Sequence, residues 1–333
     1  TLVTGAGFDA NVSGLALQAD GKIVVVGSFT SFNGSPATRI ARLTTTGTLD
    51  STFVTGSGFE FNPASLAIQP ADQKIVIVGS FISYNGATAN GLVRLDPSGA
   101  REAGFPAGSG FSGLTSSVGP LNVVLQPDGR LVIGGNFTGY NGTTAARLVR
   151  LDGATGAIDA NLVPGSVNST VRHVAVQGGS NQLLVGGPIT AVGTTPRAGL
   201  VRFNADGSLD ALHRQFLEPG QVFAIQPVAD GKFVIGGFFS HVGGAPVAHL
   251  ARVDATGALD TTFTTGAGPS GSVRAIVRQG DGGLVIAGSF NFSSNAASDN
   301  DENLLILDDP AIAAAFQAEF DVVHALAKEA AGK

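Results

Sequence analysis

Polar side chains that could bind a ligand recur at one loop position in three near-identical stretches of the chain. Each stretch ends in an Asn-Gly pair that follows an aromatic residue, as in SYNG at Ser83–Gly86. Asn-Gly favours tight turns, and amide and phenol groups on one face of a fold could also hydrogen-bond a ligand. The candidate ligand-binding residues are Asn33, Tyr84, Asn85, Tyr140 and Asn141, with His241 of a later loop.

An arginine recurs once per copy inside an apolar segment, as in RIARL (Arg39–Leu43) and GLVRL (Gly91–Leu95). On a β-strand the arginine and the apolar residue after it point to opposite faces. We therefore expect a structural role, in which each arginine bonds backbone carbonyls or a neighbouring aspartate. These arginines are Arg42, Arg94, Arg150, Arg202 and Arg252, and the sixth copy carries Ile306 at that position.

No nucleophile–base pair and no set of metal ligands stands out in the sequence. The five histidines show no metal-ligand spacing, and the absence of cysteine excludes thiolate ligands. The acidic stretch Ser298–Asn303 lacks the alternating carboxylates and the glycine of a calcium loop. We expect no catalytic residue, no bound metal and no cofactor.

The candidate residues belong to six copies of one repeat. A glycine ends the apolar run of each copy, and the spacings between these glycines are 52, 56, 52, 50 and 51 residues. A period near 50 is typical of propellers and solenoids. The anchor glycines are Gly27, Gly79, Gly135, Gly187, Gly237 and Gly288.

The elements within each copy favour a propeller. An alternating segment is followed by an Asp-Gly turn such as PDGR (Pro127–Arg130), a β-branched run, a loop, the arginine segment and a weaker segment such as STF (Ser51–Phe53). With 48 glycines and only 13% charged residues, the composition also suits an all-β protein. We predict a six-bladed β-propeller of four-stranded antiparallel blades.

The ends of the chain suggest how the propeller closes and where it stops. LVTGAGF (Leu2–Phe8) matches FVTGSGF (Phe53–Phe59), so we expect the N-terminal strand to complete the last blade. The propeller is predicted over residues 1–308. Apolar residues at helical spacing after Pro310 predict an amphipathic C-terminal α-helix and tail over residues 309–333.

The repeats resemble the delta-60 type β-propeller repeat of large bacterial secreted and surface proteins. The residues that carry the resemblance follow the pattern LQPDGK, VVGSFTSFNG, RIARL and GTLDSTF, over Asn11 to Leu307. The resemblance implies a propeller fold, a location outside the cytoplasm, and a structural or binding role.

The sixth copy also resembles the second half of phospholipase D-like nucleases, whose motif is His-x-Lys-x4-Asp-x6-Gly-Ser-x-Asn. Asp281, Gly288, Ser289 and Asn291 match this motif. The positions of the nucleophilic histidine and the phosphate-binding lysine hold Arg274 and Ile276 instead. We therefore expect this segment to be catalytically inactive.

These observations predict a non-catalytic ligand- or protein-binding or scaffolding module of a secreted or cell-surface bacterial protein, with a protein or glycan partner. Two alternatives remain open: a hydrolase or lyase with its site at the central channel, and a structural subunit of a surface layer or appendage. A net charge of −6 without a basic block argues against nucleic acid. No apolar run is long enough to insert in a membrane.

Overall fold

The computed structural model describes residues 7–106, 108–115, 119–162, 167–211, 217–218, 220–265, 268–278, 283–288 and 306–307. Residue contacts divide the chain into two compact units, residues 1–214 and 215–333. In the described ranges the regular structure is β-strand, apart from one 3-10 turn at Ala229–Gly231. No helix within these ranges has the length and hydropathy needed to cross a bilayer. The prediction of an all-β fold is confirmed.

Six sheets of one plan follow one another in the described residues, four in the first unit and two in the second. In each sheet a second strand lies between a first and a third strand, and both pairings are antiparallel, as in the first sheet. The first strands are Val12–Leu17, Pro63–Ile68, Pro120–Leu125, His173–Val176, Gln221–Pro227 and Val273–Arg278. The second strands are Ile23–Gly27, Ile75–Gly79, Leu131–Gly135, Leu183–Gly186, Phe233–Phe238 and Leu284–Gly288. The third strands are Ile40–Leu43, Leu92–Leu95, Leu148–Leu151, Leu200–Phe203, Leu250–Val253 and Ile306–Leu307.

The first turn of each sheet, between its first and second strands, follows from local sequence. In the third sheet Gly129 has a φ of +88°, a left-handed conformation that glycine adopts without strain. The Asp128 carboxylate accepts a hydrogen bond from the Arg130 N–H at 3.1 Å. The chain therefore reverses within a few residues, and Leu125 pairs with Leu131.

Within each unit the hydrophobic core lies between successive sheets. In the first unit Val26 of the first sheet shares a buried cluster with Leu66 and Ile77 of the second sheet. In the second unit Val234 and Ile286 belong to one cluster in the same way. In the first five sheets the second strands are buried on both faces, which explains why their sequences are continuous apolar runs. Each such side chain contributes about 1.5–3 kcal/mol when it is fully buried.

In the residues that the structure describes, five loop hairpins follow the second strands, and each has two residues per strand. Each hairpin pairs with a lead segment, the short stretch that precedes the first strand of the same sheet. The hairpins are Ser31–Phe32 with Ser35–Pro36, Ser83–Tyr84 with Ala87–Thr88, Gly139–Tyr140 with Thr143–Thr144, Ala191–Val192 with Thr195–Pro196, and His241–Val242 with Ala245–Pro246. The lead segments pair through Phe8, Phe59, Phe111–Ser112, Val167 and Leu217–Glu218.

The anchor glycines recur because the chain crosses close to them. A Cβ at Gly27, Gly187 or Gly237 would lie 2.1, 2.2 or 2.0 Å from a backbone carbonyl oxygen where the first strand begins. Cβ atoms do not approach oxygen atoms that closely. Glycine therefore allows the chain to enter each first strand across the end of the second strand.

The prediction of four strands in each blade is wrong for the described sheets, which have three. The fourth is reduced to a single bridge, for example between Leu43 and Leu49. Ser51–Phe53 forms a turn instead, because the Phe53 N–H bonds the Asp50 carbonyl at 3.2 Å and the Asp50 carboxylate binds Arg42.

Two other predictions fall largely outside the described residues. The C-terminal helix at 309–333 lies outside them. Of the predicted closing strand only Gly7 and Phe8 are described, and Phe8 pairs with Phe32 of the first loop hairpin. The number of blades in a closed ring and the closure by the N-terminal strand stay predictions.

Candidate functional site

The candidate tyrosines lie in the hydrophobic core. Tyr84 is 1% exposed and its hydroxyl donates a hydrogen bond to the Gly99 carbonyl at 2.7 Å. Tyr140 is fully buried and bonds the Gly156 carbonyl at the same distance. Burial raises the pKa of both phenols well above the usual range, so both stay protonated donors. A ligand-binding role for these two tyrosines stays a prediction.

The candidate asparagines hold the lead segments. Asn33, Asn85 and Asn141 have φ values of 48°, 48° and 49°, a left-handed conformation that asparagine tolerates. Their side-chain oxygens accept hydrogen bonds from the N–H groups of Gly7, Ser57 and Gly110, respectively. This geometry accounts for the repeated Asn-Gly pairs, and ligand binding by these residues stays a prediction.

The sixth candidate, His241, lies in the fifth loop hairpin, apart from the other five. It is half-buried and pairs with Glu218 of the lead segment. Its Nδ1 lies 2.9 Å from the Ser240 hydroxyl. Five candidates lie in hairpins of the first unit and His241 lies in the second unit, and ligand binding by His241 stays a prediction.

Replacing Tyr84 by phenylalanine tests whether the hydroxyl is structural. We expect the Tyr84→Phe variant to lose about 1 kcal/mol of unfolding free energy, because the Gly99 carbonyl loses its buried donor. Chemical denaturation measures the difference, and Tyr140→Phe is the matched variant. A Tyr84→Phe protein of unchanged stability that no longer binds a ligand would contradict the structural role.

The repeated arginines form clamps within and between sheets. Arg150 is fully buried, and its Nε lies 2.8 Å from an Asp159 carboxylate oxygen. It also donates to the carbonyls of Ala205 and Asp206 in the next sheet, at 2.9 and 3.3 Å. The predicted structural role is confirmed. The arginine–carboxylate pairs are Arg42–Asp50, Arg94–Glu102, Arg150–Asp159, Arg202–Asp210 and Arg252–Asp260.

The register of the sixth sheet corrects one assignment from the sequence. Arg42 pairs with Val24 in the first sheet, and the residue in the same place of the sixth sheet is Leu307, opposite Val285. Ile306 instead pairs with Ile286. As predicted, the sixth sheet has no arginine at this position, and Leu307 takes its place.

In four of the sheets the clamp carboxylate also binds the basic residue of the first turn, a pairing that was not predicted from the sequence. Lys74 Nζ lies 3.0 Å from a Glu102 oxygen, while Arg94 binds the other Glu102 oxygen. The hydrogen bond from Arg94 lowers the pKa of Glu102 below its usual range; Lys74 lowers it further, and burial opposes both. The recurrence of a carboxylate eight or nine residues after each arginine was the available signal in the sequence.

Because of these carboxylates, we expect the folded protein to become less stable in acid. Because the pKa of Glu102 is lower in the folded protein, its contribution is complete above the unfolded pKa of about 4 and is lost as the pH falls through the folded value. We expect the melting temperature to fall below pH 4, and the fall to be smaller in Glu102→Gln. An identical pH profile for both proteins would contradict this assignment.

A cleft of about 610 Å³ opens between the second and third sheets, and we call it the turn-side cleft. It is lined by the first turns of both sheets (70–74 and 128–130) and by residues 152–154 of the third sheet. Gln69 and Arg94 also line it, and the Gln69 side-chain amide donates to the Gly153 carbonyl at 3.0 Å. Its volume falls in the range of small-molecule sites.

The cleft is open because two bridging groups are absent at this junction. Between the first and second sheets, the Ala19 N–H donates to the side-chain oxygen of Gln73 at 3.0 Å. At the next junction Pro70 follows the first-strand glutamine and has no N–H, and Gly129 takes the place of Gln73. A Cβ at Gly129 would meet no atom within 4 Å. Pro70 and Gly129 mark this site in the sequence, but neither was among the predicted site residues.

The described part of the phospholipase D-like segment is an ordinary sheet. Ile276, at the lysine position of that motif, is 7% exposed and belongs to a hydrophobic cluster with Val234 and Leu250. Arg274, at the histidine position, is exposed with its guanidinium 5.7 Å from the Phe223 ring centre. Ser289 and Asn291 lie outside the described residues. Among the residues that are described, no group of three or more acidic or histidine side chains could hold a metal.

The comparison with solved structures found three proteins that resemble this chain at low identity. The extracellular domain of a proposed one-component system from B. thetaiotaomicron is 14% identical, with a TM-score of 0.49; the alignment covers 86% of this chain and 31% of that chain. Virginiamycin B lyase from Staphylococcus aureus is 14% identical, with a TM-score of 0.47, covering 84% and 78%. A proposed oxidoreductase (glucose dehydrogenase) from Thermus thermophilus is 15% identical, with a TM-score of 0.49, covering 91% and 98%.

Family models match two parts of the chain, whereas the comparison with curated proteins found no match. The model described as cardiolipin synthase, PLD-like domain, matches residues 275–323, so this stretch is similar to that domain. The β-propeller domain of unknown function DUF5122 matches residues 18–53, 71–105, 126–161, 179–212 and 229–263, which together exceed half of the chain. The chain therefore belongs to the DUF5122 β-propeller family.

Proposed function

We propose that this chain is a non-catalytic ligand-binding module of a secreted or cell-surface bacterial protein, built as a six-bladed propeller that its N-terminal strand closes. The observation that carries the proposal is the turn-side cleft, which is open at one junction where the preceding junction is bridged. A protein or a glycan is the expected class of partner, and residues 309–333 are proposed to form a helix that packs on the propeller.

The charged residues that recur from copy to copy support a non-catalytic role. The clamp arginines are paired with carboxylates and, in the first three sheets, with carbonyl groups of the following sheet. Groups held in this way stabilise the fold and are not available as an acid, a base or a nucleophile. The turn-side cleft is a place where a ligand can enter.

Filling the cleft tests the proposal. Gly129→Asn places an amide where Gln73 closes the preceding junction, and asparagine tolerates the left-handed backbone. Gly86→Asn is the matched control, because Gly86 also has a left-handed φ and open space, at 73°, in a loop hairpin. On arrays of glycans and peptides we expect the native protein and Gly86→Asn to bind alike and Gly129→Asn to bind weakly. Equal binding by all three would overturn the assignment of the cleft.

The phospholipase D-like segment is expected to be inactive. That chemistry needs a histidine to attack phosphorus, and Arg274 holds its position. Incubation with bis-p-nitrophenyl phosphate or single-stranded DNA should therefore give no turnover. Turnover that disappears on replacing Asp281, Ser289 or Asn291 would show an active site in this segment.

A further inference from the structure

We infer that the turn-side cleft binds a neutral, hydroxyl-rich ligand, a short uncharged oligosaccharide. This inference rests on the proposed binding function and adds the chemical class of the ligand. It follows from how the charges around the cleft are paired, from their remaining hydrogen-bonding capacity, and from the apolar groups between them.

Two of the three cations at the cleft, Lys74 and Arg130, are each held by two carboxylates, and the third, Arg94, is held by Glu102 and by the Gly153 and Ala154 carbonyls. Lys74 Nζ lies 3.2 Å from Asp72 and 3.0 Å from Glu102. On the other wall Arg130 lies 3.2 Å from Asp128 and 3.1 Å from Asp159. A carboxylate or phosphate ligand would have to displace one of these internal partners, and it would also meet the negative charge of the others. The pairing therefore disfavours anions.

A cationic ligand is disfavoured for the converse reason: three cations, Lys74, Arg94 and Arg130, line the cleft together with three aspartates, Asp72, Asp128 and Asp152, so the lining has no net negative charge to favour a cation. The hydroxyl groups of a neutral ligand do not have to displace an ion-pair partner and are not repelled by either set of charges. An ionised carboxylate has about four lone-pair sites and an ammonium has three N–H donors, so both keep capacity after forming an ion pair. The side chains of Asp72 and Asp128 are 44% and 30% exposed, so they can accept hydrogen bonds from hydroxyl groups.

The cleft also offers a modest apolar surface. Pro70 and Ala71 are exposed and Leu125 is half-buried, and all three line the cleft beside the charged groups. A pyranose ring has the same combination, with hydroxyl groups at its edge and C–H groups on its faces. None of the residues that line the cleft is aromatic, so we expect weak binding, with a Kd in the millimolar range.

The test compares neutral trisaccharides of glucose and galactose with trigalacturonate, their charged counterpart, by chemical-shift changes in the labelled protein. We expect the neutral sugars to bind the native protein and Gly86→Asn, with a Kd that stays constant between low and high salt. In Gly129→Asn their affinity should fall at least fivefold. Salt independence is expected because screening weakens only interactions between net charges.

The outcomes separate this inference from the proposed function. Preferential binding of trigalacturonate or of peptides, lost at high salt and lost in Gly129→Asn, would overturn the neutral ligand and leave the binding function standing. Neutral-sugar binding that Gly129→Asn leaves unchanged would overturn the site. An absence of binding by every sugar and peptide tested would overturn both proposals.

Discussion

The Arg150→Met variant is expected to lose about 3 kcal/mol of unfolding free energy, the low end of the range for breaking a buried ion pair. Arg150 is fully buried and bonds Asp159, Ala205 and Asp206, so its loss leaves a carboxylate and two carbonyls without this donor. Arg130 still lies 3.1 Å from Asp159, which limits the loss. Urea denaturation of the purified protein measures the difference.

Arg252→Met is the matched control for Arg150. The Arg252 side chain is 27% exposed, and it binds Asp260, which Lys232 also contacts at 2.8 Å. Water can replace some of the hydrogen bonds that Arg252 donates. We therefore expect Arg252→Met to lose less than half of the unfolding free energy that Arg150→Met loses. Equal losses for the two variants would show that burial and the carbonyl contacts of Arg150 add nothing.

Gly187→Ala is expected to destabilise the fold by about 1–3 kcal/mol, as an overpacked core substitution does. The added Cβ would lie 2.2 Å from the Thr170 carbonyl oxygen, which belongs to the backbone and cannot rotate away. The chain entering the first strand of the fourth sheet would have to shift. Thermal and urea denaturation both report the effect.

Gly178→Ala, in the first turn of the same sheet, is the control. A Cβ there meets no atom within 4 Å, and Gly178 is not among the left-handed glycines. We expect a change near zero or a small gain, because alanine restricts the unfolded chain. If Gly178→Ala were as destabilising as Gly187→Ala, the crossing of the chain at Gly187 would not be the cause.

Much of each sheet follows from features that lie close together in the sequence. The Asp-Gly turns predict the first hairpin, because a left-handed glycine and an aspartate cap reverse the chain within a few residues. The β-branched runs predict a strand after the first turn, and the structure shows that in the first five sheets this strand is buried on both faces. The arginine beside an apolar residue predicts a side chain held between sheets, and the clamps confirm it. The prediction of a fourth strand was wrong because the chain turns after Asp50. The Asp50 carboxylate binds Arg42 and accepts a hydrogen bond from the Thr52 N–H.

The sequence by itself determined the repeat, its all-β class, its turns and the position of the clamp arginines, because these depend on local backbone preferences and short-range periodicity. Only the tertiary structure decided that the junction between the second and third sheets is open. Ala19 and Gln73 are 54 residues apart, and Arg150 bonds carbonyls 55 and 56 residues away. Whether two groups so distant in the chain meet depends on how neighbouring sheets pack. The turn-side cleft could therefore be identified only from the structure, in which Pro70 and Gly129 line the same junction.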